Sequence, residues 1–359
     1  MTRHVARRRL TRRSAIGLAA GGWSACRGSR TVAAQDAASS SLGALTDREL
    51  AARMFMVPIV DIALSADEAS WLRALKPGGV ILTQQNFGTP AEVRALVAAI
   101  HATNPDWPPL VALDQEGGLV SRIADDPAPD ALTLGAMPAA EISRFAGLRA
   151  EVLGSYGFDV NFAPVADIAY TADSAVAWRT FGSDPEQVAA AVTAYMTGVQ
   201  GTSVLHCAKH FPGHGRVAVD SHIALPVLDI GPELWWATDA LPFQAAVDAS
   251  APTIMLGHLV MPAWDSLPAS ISAVAVRVLR DDLGFAGVVV SDDLGMGALV
   301  EWEPFDVVEL AVMAGIDLLL YVTLTAPLPN LIDFLAGRMA IDSDIRAQVV
   351  RAVERLRQL

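Results

Sequence analysis

Val204-Leu205-His206-Cys207-Ala208 runs directly into Lys209-His210-Phe211-Pro212-Gly213-His214-Gly215, and the same segment ends at Asp220-Ser221-His222. The first residues are mostly apolar and have strand character. Pro212, Gly213 and Gly215 then break any regular element, so the backbone must turn. Five titratable side chains (Lys209, His210, His214, Asp220 and His222) therefore sit just past a buried strand, a common way to position chemistry on a loop. Asp220 and His222 lie two residues apart. On a turning chain the carboxylate can reach the imidazole and fix its tautomer, which makes His222 a candidate proton donor or acceptor near neutral pH.

Working outward, short apolar runs alternate with helical patterns eight times. Strands are predicted near Met54–Ile59, Gly79–Leu82, Leu110–Leu113, Asp159–Phe162, Ser203–Ala208, Thr253–Leu256, Gly287–Val290 and Asp317–Tyr321. Helices are predicted between them, including Glu233–Asp248 and Val274–Leu283. Two more are predicted after the last strand, near Leu328–Gly337 and Asp344–Leu359. Unbroken apolar runs suit strands covered on both faces of a parallel sheet. Eight such units predict a single-domain α/β protein, a (β/α)8 TIM barrel with extra C-terminal helices over residues 45–359. A doubly wound open sheet is the alternative. The polar motifs decide for the barrel. They follow predicted strands three to seven at their C-terminal ends, which a barrel gathers around one pocket and an open sheet gathers only at its switch point.

Strand three leads into Asp114-Gln115-Glu116-Gly117-Gly118, with Arg122 beyond. Asp114 is suited to contact two vicinal hydroxyls. Strand four leads to Asn161-Phe162-Ala163-Pro164-Val165-Ala166-Asp167, read as rim support or a contact. Arg179 stands in a loop where it could meet an anion or a carbonyl. His258, after strand six, reads as a pocket-lining or core residue. Strand seven delivers Ser291-Asp292-Asp293-Leu294, which aims Asp292 into the pocket and leaves Asp293 free to cap the next turn. His206, His210, His214, Asp220 and His222 invite a metal reading. The spacing is not that of a His-Glu-x-x-His helix, so no metal is expected, and the absence of a phosphate loop or dinucleotide fingerprint predicts no organic cofactor.

Asp114–Gly118, Lys209–Gly215, Asp220–His222 and Ser291–Leu294 together resemble family 3 glycoside hydrolases. Within that family they resemble the single-barrel β-N-acetylhexosaminidases that act on peptidoglycan fragments. The resemblance implies a retaining exo-glycosidase that removes terminal β-linked N-acetylglucosamine from peptidoglycan-type or other amino-sugar glycans. It implies Asp292 as nucleophile, His222 as general acid/base oriented by Asp220, and Asp114, Arg122, Arg179, Lys209 and His210 as holders of the terminal sugar. Leu119, Trp178 and Gly295 depart from the family pattern, which carries arginine, small residues and serine there. A family 3 β-glucosidase or broad β-hexosidase is the alternative activity, and a non-catalytic glycan-binding barrel is a rival of another class. A monomer acting on carbohydrate is expected.

The first 34 residues read as a targeting segment. Arg12-Arg13 precedes a short Ala/Gly-rich apolar region too short to span a bilayer, and Thr11–Ile16 resembles a twin-arginine export signal. Two endings are open: cleavage after Val32-Ala33-Ala34, or lipidation at Cys26. Residues 35–44 read as a linker. The formal net charge is -13, and removal of residues 1–34, which hold eight arginines and no acid, takes it to -21. A domain this acidic does not attract nucleic acid or anionic head groups. After cleavage at Ala34 only Cys207 remains, so no internal disulfide is available. The expected location is periplasmic, cell-surface or extracellular. Replacing Arg12-Arg13 by Lys-Lys is expected to strand the chain in the cytoplasm. Unchanged fractionation, or a mature chain starting at Met1, would contradict this.

Overall fold

A computed structural model describes residues 42–359. The segment 1–34 expected to be an export signal, the lipidation candidate Cys26 and most of the expected linker 35–44 lie outside the described residues.

Local sequence sets the helix starts. Thr46, Ser65 and Thr89 each head a reciprocal capping box with a glutamate three residues on, and Asp184 caps Pro185–Val199. Between the helices run β1 (Phe55–Pro58), β2 (Gly79–Ile81), β3 (Leu110–Leu113), β4 (Val160–Asn161), β5 (Leu205–Phe211), β6 (Thr253–Leu256), β7 (Val288–Ser291) and β8 (Leu319–Leu320). All pairings are parallel, in the order β7-β6-β5-β4-β3-β2-β1-β8. A further parallel bridge between Val290 and Leu318 joins the two ends. An open sheet has two free edges; here the edges meet, and the fold is the expected (β/α)8 barrel. Helices Leu328–Ile341 and Ser343–Arg357 follow β8. No helix of the described residues is long and apolar enough to cross a membrane.

The closing seam is short of ladder bonds because β8 has only two residues, and side chains complete it. The Asp317 carboxylate accepts from the Val289 N–H at 2.8 Å and pairs with Arg280 and Arg355. Ser291 Oγ accepts from the Leu320 N–H at 3.0 Å, and Asp293 Oδ1 accepts from the Val322 N–H at 2.8 Å. The barrel interior is filled by Met56, Ile81, Ala112, Val160, Cys207, Met255, Val288, Val290, Leu318 and Leu320, with Leu356 of the last helix packed against them. Cys207 is one of these interior residues. Burial pushes its thiol up to about 12, so it is a packing residue and a poor nucleophile.

Three expectations are corrected. β5 does not stop at Ala208: it continues to Phe211, with a register shift between Ala208 and Phe211. Lys209 and His210 therefore stand on a strand and not on the loop. The continuation is anchored by Phe211, whose ring packs against Phe243 and Trp235 at centroid distances of 5.3 and 5.7 Å. The predicted helix Glu233–Asp248 is two helices, Pro232–Ala237 and Ala240–Asp248. The break falls at Thr238, which leaves helical geometry, and at Asp239, whose buried carboxylate accepts from Arg216 at 2.7 Å. The predicted helix Val274–Leu283 is α-helical only over Ala273–Arg277 and continues as wider turns over Val278–Asp282.

Candidate active site

The C-terminal ends of the strands open into a cleft of about 450 Å³, within the ordinary range for small-ligand sites. Asp114, Arg122, Arg179, Lys209, His210, Asp220, His222 and Asp292 all line it. Every site residue expected from sequence is thus brought to one place.

Its floor is an ion network. Lys209 Nζ lies 2.6 Å from Asp114 Oδ1 and 2.7 Å from Glu116 Oε1. Arg179 grips the same Glu116 with two nitrogens, Nε at 2.9 Å and Nη2 at 2.6 Å. Glu116 and Lys209 are almost fully buried. Burial alone would push the Glu116 carboxyl up, but the two cations outweigh it and hold that carboxyl far below its usual range. The two acids hold the Lys209 ammonium above its usual value in spite of burial. Sequence reasoning missed Glu116 as the hub. Its position in Asp114-Gln115-Glu116 gave only a tight turn beside Asp114, and the partners lie on other strands.

The loop that carries Asp114 and Glu116 is held from behind. The Asn161 side chain clasps the Gln115 backbone both ways, accepting from its N–H at 2.9 Å and donating to its carbonyl at 3.1 Å. The Gln115 side chain accepts from the Arg122 and Ile123 N–H groups at 2.7 and 3.0 Å. Buried Arg149, from the helix Ala139–Tyr156, donates to Asp126, to the Glu116 carbonyl and to the carbonyls of Ala128 and Pro129. Gly117 sits at φ +98°, where a Cβ would meet both Arg149 and the Pro129 carbonyl oxygen at 2.6 Å. Arg149 carried no sequence signal, since an arginine on an amphipathic helix reads as a surface residue.

His210 is oriented by Asp167, which lies fully inside the fold. Asp167 Oδ2 is 2.7 Å from His210 Nδ1, and Oδ1 accepts from the His214 N–H at 2.6 Å. Burial works against ionisation of Asp167, but His210, His214 and that N–H keep its carboxyl below the usual range. Asp167 was one of two open readings in the sequence; in the structure it supports the site and does not line the cleft. His214 is buried, with Nε2 3.2 Å from Ser221 Oγ and no partner for Nδ1. His206 turns away from the cleft. Its Nδ1 lies 3.1 Å from the Val204 carbonyl, its ring packs on Tyr195, and burial pushes it down to about 3.

Asp292 emerges at the end of β7 and is half-buried. Burial would raise its carboxyl, but His258, His210, Lys209 and the Asp293 N–H together hold it at about 2. Asp293 is turned the other way, its Oδ1 accepting from Gly295 and Val322 N–H groups at 2.9 and 2.8 Å. Both aspartates line the cleft, but Asp293 commits its Oδ1 to the seam while Asp292 accepts only the Asp293 N–H. His258 is a core histidine between the two: Nδ1 lies 2.6 Å from Ser270 Oγ and Nε2 2.8 Å from the Asp293 carbonyl.

Across the cleft, Asp220 Oδ1 lies 2.7 Å from His222 Nδ1 and accepts from the His222 N–H at 2.9 Å. Partial burial is outweighed by these bonds, and the Asp220 carboxyl stays below its usual range. With Nδ1 turned to the carboxylate, Nε2 is left facing the cleft and solvent, on a side chain 67 % exposed. This loop is tied to the loop after β7. Gly297 N–H donates to the His222 carbonyl and Ala298 N–H to the Ser221 carbonyl, both at 3.1 Å. A Cβ at Gly297 would lie 2.6 Å from the His222 carbonyl oxygen, so only glycine allows this approach.

A (β/α)8 barrel whose strand ends present carboxylates and a carboxylate–imidazole pair around one cleft holds the groups that a glycoside hydrolase needs. The glycosyl hydrolase family 3 N terminal domain model matches residues 47–358, and the chain belongs to that family. It is a glycoside hydrolase, and it is similar to proteins named β-hexosaminidases. The β-hexosaminidase of Thiobacillus denitrificans is 35% identical over 314 residues, covering 82% of this chain and 85% of the relative. A solved family 3 β-N-acetylglucosaminidase from Paenibacillus sp. is 30% identical with a TM-score of 0.82; 87% of this chain aligns, spanning 62% of that longer protein. NagZ from Neisseria gonorrhoeae, solved in complex with N-trifluoroacetyl-D-glucosamine, is 29% identical with a TM-score of 0.71 over 83% of this chain and 89% of that one.

Glu116→Gln is expected to leave Lys209 and Arg179 facing a neutral amide, with only half-buried Asp114 as counter-charge. Breaking a buried ion pair in this way costs about 3–5 kcal/mol. Because the Glu116 carboxyl is depressed in the fold, its contribution is fully present above the unfolded value near 4.5 and is lost as pH falls below it. Urea denaturation should show the variant less stable at neutral pH, with the gap to wild type narrowing in acid. A constant gap would contradict the assignment.

Proposed function

We propose that the chain is an exported, retaining exo-β-N-acetylglucosaminidase that removes terminal β-linked N-acetylglucosamine from peptidoglycan-type or other amino-sugar glycans. One observation carries the reading: Asp292 and the Asp220–His222 pair line the same cleft on two loops joined backbone to backbone. The names of the relatives support the amino-sugar, and Arg12-Arg13 before a weak apolar region supports export.

Asp292 is the nucleophile in this reading. A carboxyl held at about 2 is ionised near neutral pH, as attack on an anomeric carbon requires. The acid is the imidazolium of His222. The Nδ1–H stays on the imidazole and donates to Asp220, and the Nε2 proton passes to the glycosidic oxygen as that oxygen takes the electrons of the breaking C–O bond. The sugar is left as an ester of Asp292. His222 is then neutral, with a lone pair on Nε2, and removes a proton from the incoming water. The water oxygen displaces Asp292, the carboxylate is restored, and two displacements leave the configuration retained. Asp220 holds the ring and stabilises its charged form without taking the proton. Asp114 Oδ2, without a protein partner, and Arg122, whose buried Nε has none, are free to meet sugar hydroxyls on the floor of the cleft, beside Lys209, Arg179 and His210.

His222→Ala separates catalysis from binding. General acid–base help is worth roughly 10²–10⁴-fold, and a leaving group of low pKa needs little of it. The variant should lose most of its rate on an N-acetylglucosamine disaccharide and far less on an activated phenyl glycoside. Added azide should restore turnover and give a glycosyl azide of retained configuration. Equal losses on both substrates with no azide product would reduce His222 to a sugar-binding or loop residue.

A further inference from the structure

The cleft is graded in depth. Lys209, Glu116 and His210 at its floor are 2%, 5% and 5% exposed. At its mouth stand His222 and the indole of Trp178, the latter 46% exposed. A glycosidase that protonates the leaving oxygen from His222 must hold the leaving group on that outer side. Trp178 is not a loosely tethered surface residue. It sits in the tight turn Ala177–Arg179, and Arg179 is pinned by two bonds to Glu116, with its guanidinium 5.9 Å from the Trp178 ring centroid. A large aromatic face kept half in water on a fixed turn is a ready surface for a ligand. Leu119 and Ile223, on the loops after β3 and β5, are 83% and 78% exposed and add apolar surface to the same end of the barrel.

The charge at the mouth points the same way. Among the described residues, the segments between each strand and the next helix hold only three arginines, Arg122, Arg179 and Arg216. Arg179 is bound to Glu116 and Arg216 to Asp239, while Arg122 has its Nε buried in the inner cleft. Exposed Asp173 and Glu301 and half-exposed Asp220 stand on loops of this rim. An anionic leaving group would meet these three acids on the rim, where His222 is already paired to Asp220 and the unpaired Arg122 has its Nε buried.

We propose that the outer cleft is a leaving-group site for a neutral moiety with an apolar face, a sugar ring or an aryl group, stacked on Trp178. The site rests on the glycosidase reading above and refines it, favouring neutral amino-sugar glycans over aglycones that carry a carboxylate.

Uncleaved thioglycosides test this without turnover. The S-methyl, S-phenyl and S-(4-carboxyphenyl) N-acetyl-β-glucosaminides are titrated calorimetrically into wild type, Trp178→Ala and Trp178→Phe. Wild type should bind the phenyl compound roughly two- to tenfold tighter than the methyl compound. It should bind it several-fold tighter than the carboxyphenyl compound at low salt, with that second gap shrinking as salt rises. Trp178→Ala should erase the phenyl advantage and shift the methyl compound less than about twofold, and Trp178→Phe should keep most of the advantage. A wild type that binds phenyl no tighter than methyl, or carboxyphenyl tightest, overturns the proposal. Equal weakening of methyl and phenyl in Trp178→Ala also overturns it, because the ring would then serve the inner site or the fold. If wild type instead binds only the corresponding thioglucosides, the amino-sugar reading fails. The same three-way comparison on the glucosides then decides the role of Trp178.

Discussion

The buried carboxylate of Glu116, held between Lys209 and Arg179, is the interaction on which the rest of the site depends. Glu116 comes from the loop after β3, Arg179 from the loop after β4 and Lys209 from β5. Charges this deeply buried persist only when paired and hydrogen-bonded, so the three chain segments can pack in few ways. Lys209, placed by Glu116, also places Asp114 and lends positive charge to Asp292. Arg179, fixed from the same carboxylate, sets the turn that carries Trp178.

A second constraint joins the two groups proposed to react. The loops carrying Asp292 and His222 arise from different strands but are bonded to each other through Gly297 and Ala298. Asp293 fastens the first of these loops to the chain beyond β8, at the seam where the ladder is thinnest. Closure of the barrel and spacing of Asp292 and His222 are therefore one structural problem. A loss of packing at the seam will be felt in the cleft.

The barrel was legible because eight apolar runs alternate with helical patterns and polar motifs follow five of them, strands three to seven, whose ends a closed parallel sheet brings together. The cleft residues were legible because they sit in short motifs at strand ends. What sequence did not reveal is the support behind them. Glu116 and Arg149 act through partners on distant strands and helices, and no local spacing signals such pairings; Asp167, open between rim support and a contact in the sequence, proves to be support. The strand end at Lys209 and His210 was misplaced because Pro212 and Gly213 marked a break and nothing in the sequence showed Phe211 seated in an aromatic cluster. The helix broken at Asp239 looked continuous for the same reason, since the partner, Arg216, lies in another loop.

The central claim is that Asp292 forms a covalent bond to the sugar, with His222 opposite it. A 5-fluoro-N-acetylglucosaminyl fluoride tests the first half directly, because fluoride leaves without a proton from His222 and the 5-fluoro group slows hydrolysis of the ester. Mass mapping of the inactivated protein should place the label on Asp292. With that carboxyl held at about 2, it is almost fully ionised two pH units higher. The inactivation rate should therefore stay flat from about pH 7 down to about pH 4. A label on Asp293 or Glu116, no label with an inverted product, or a rate that falls with a midpoint between those limits would contradict the account.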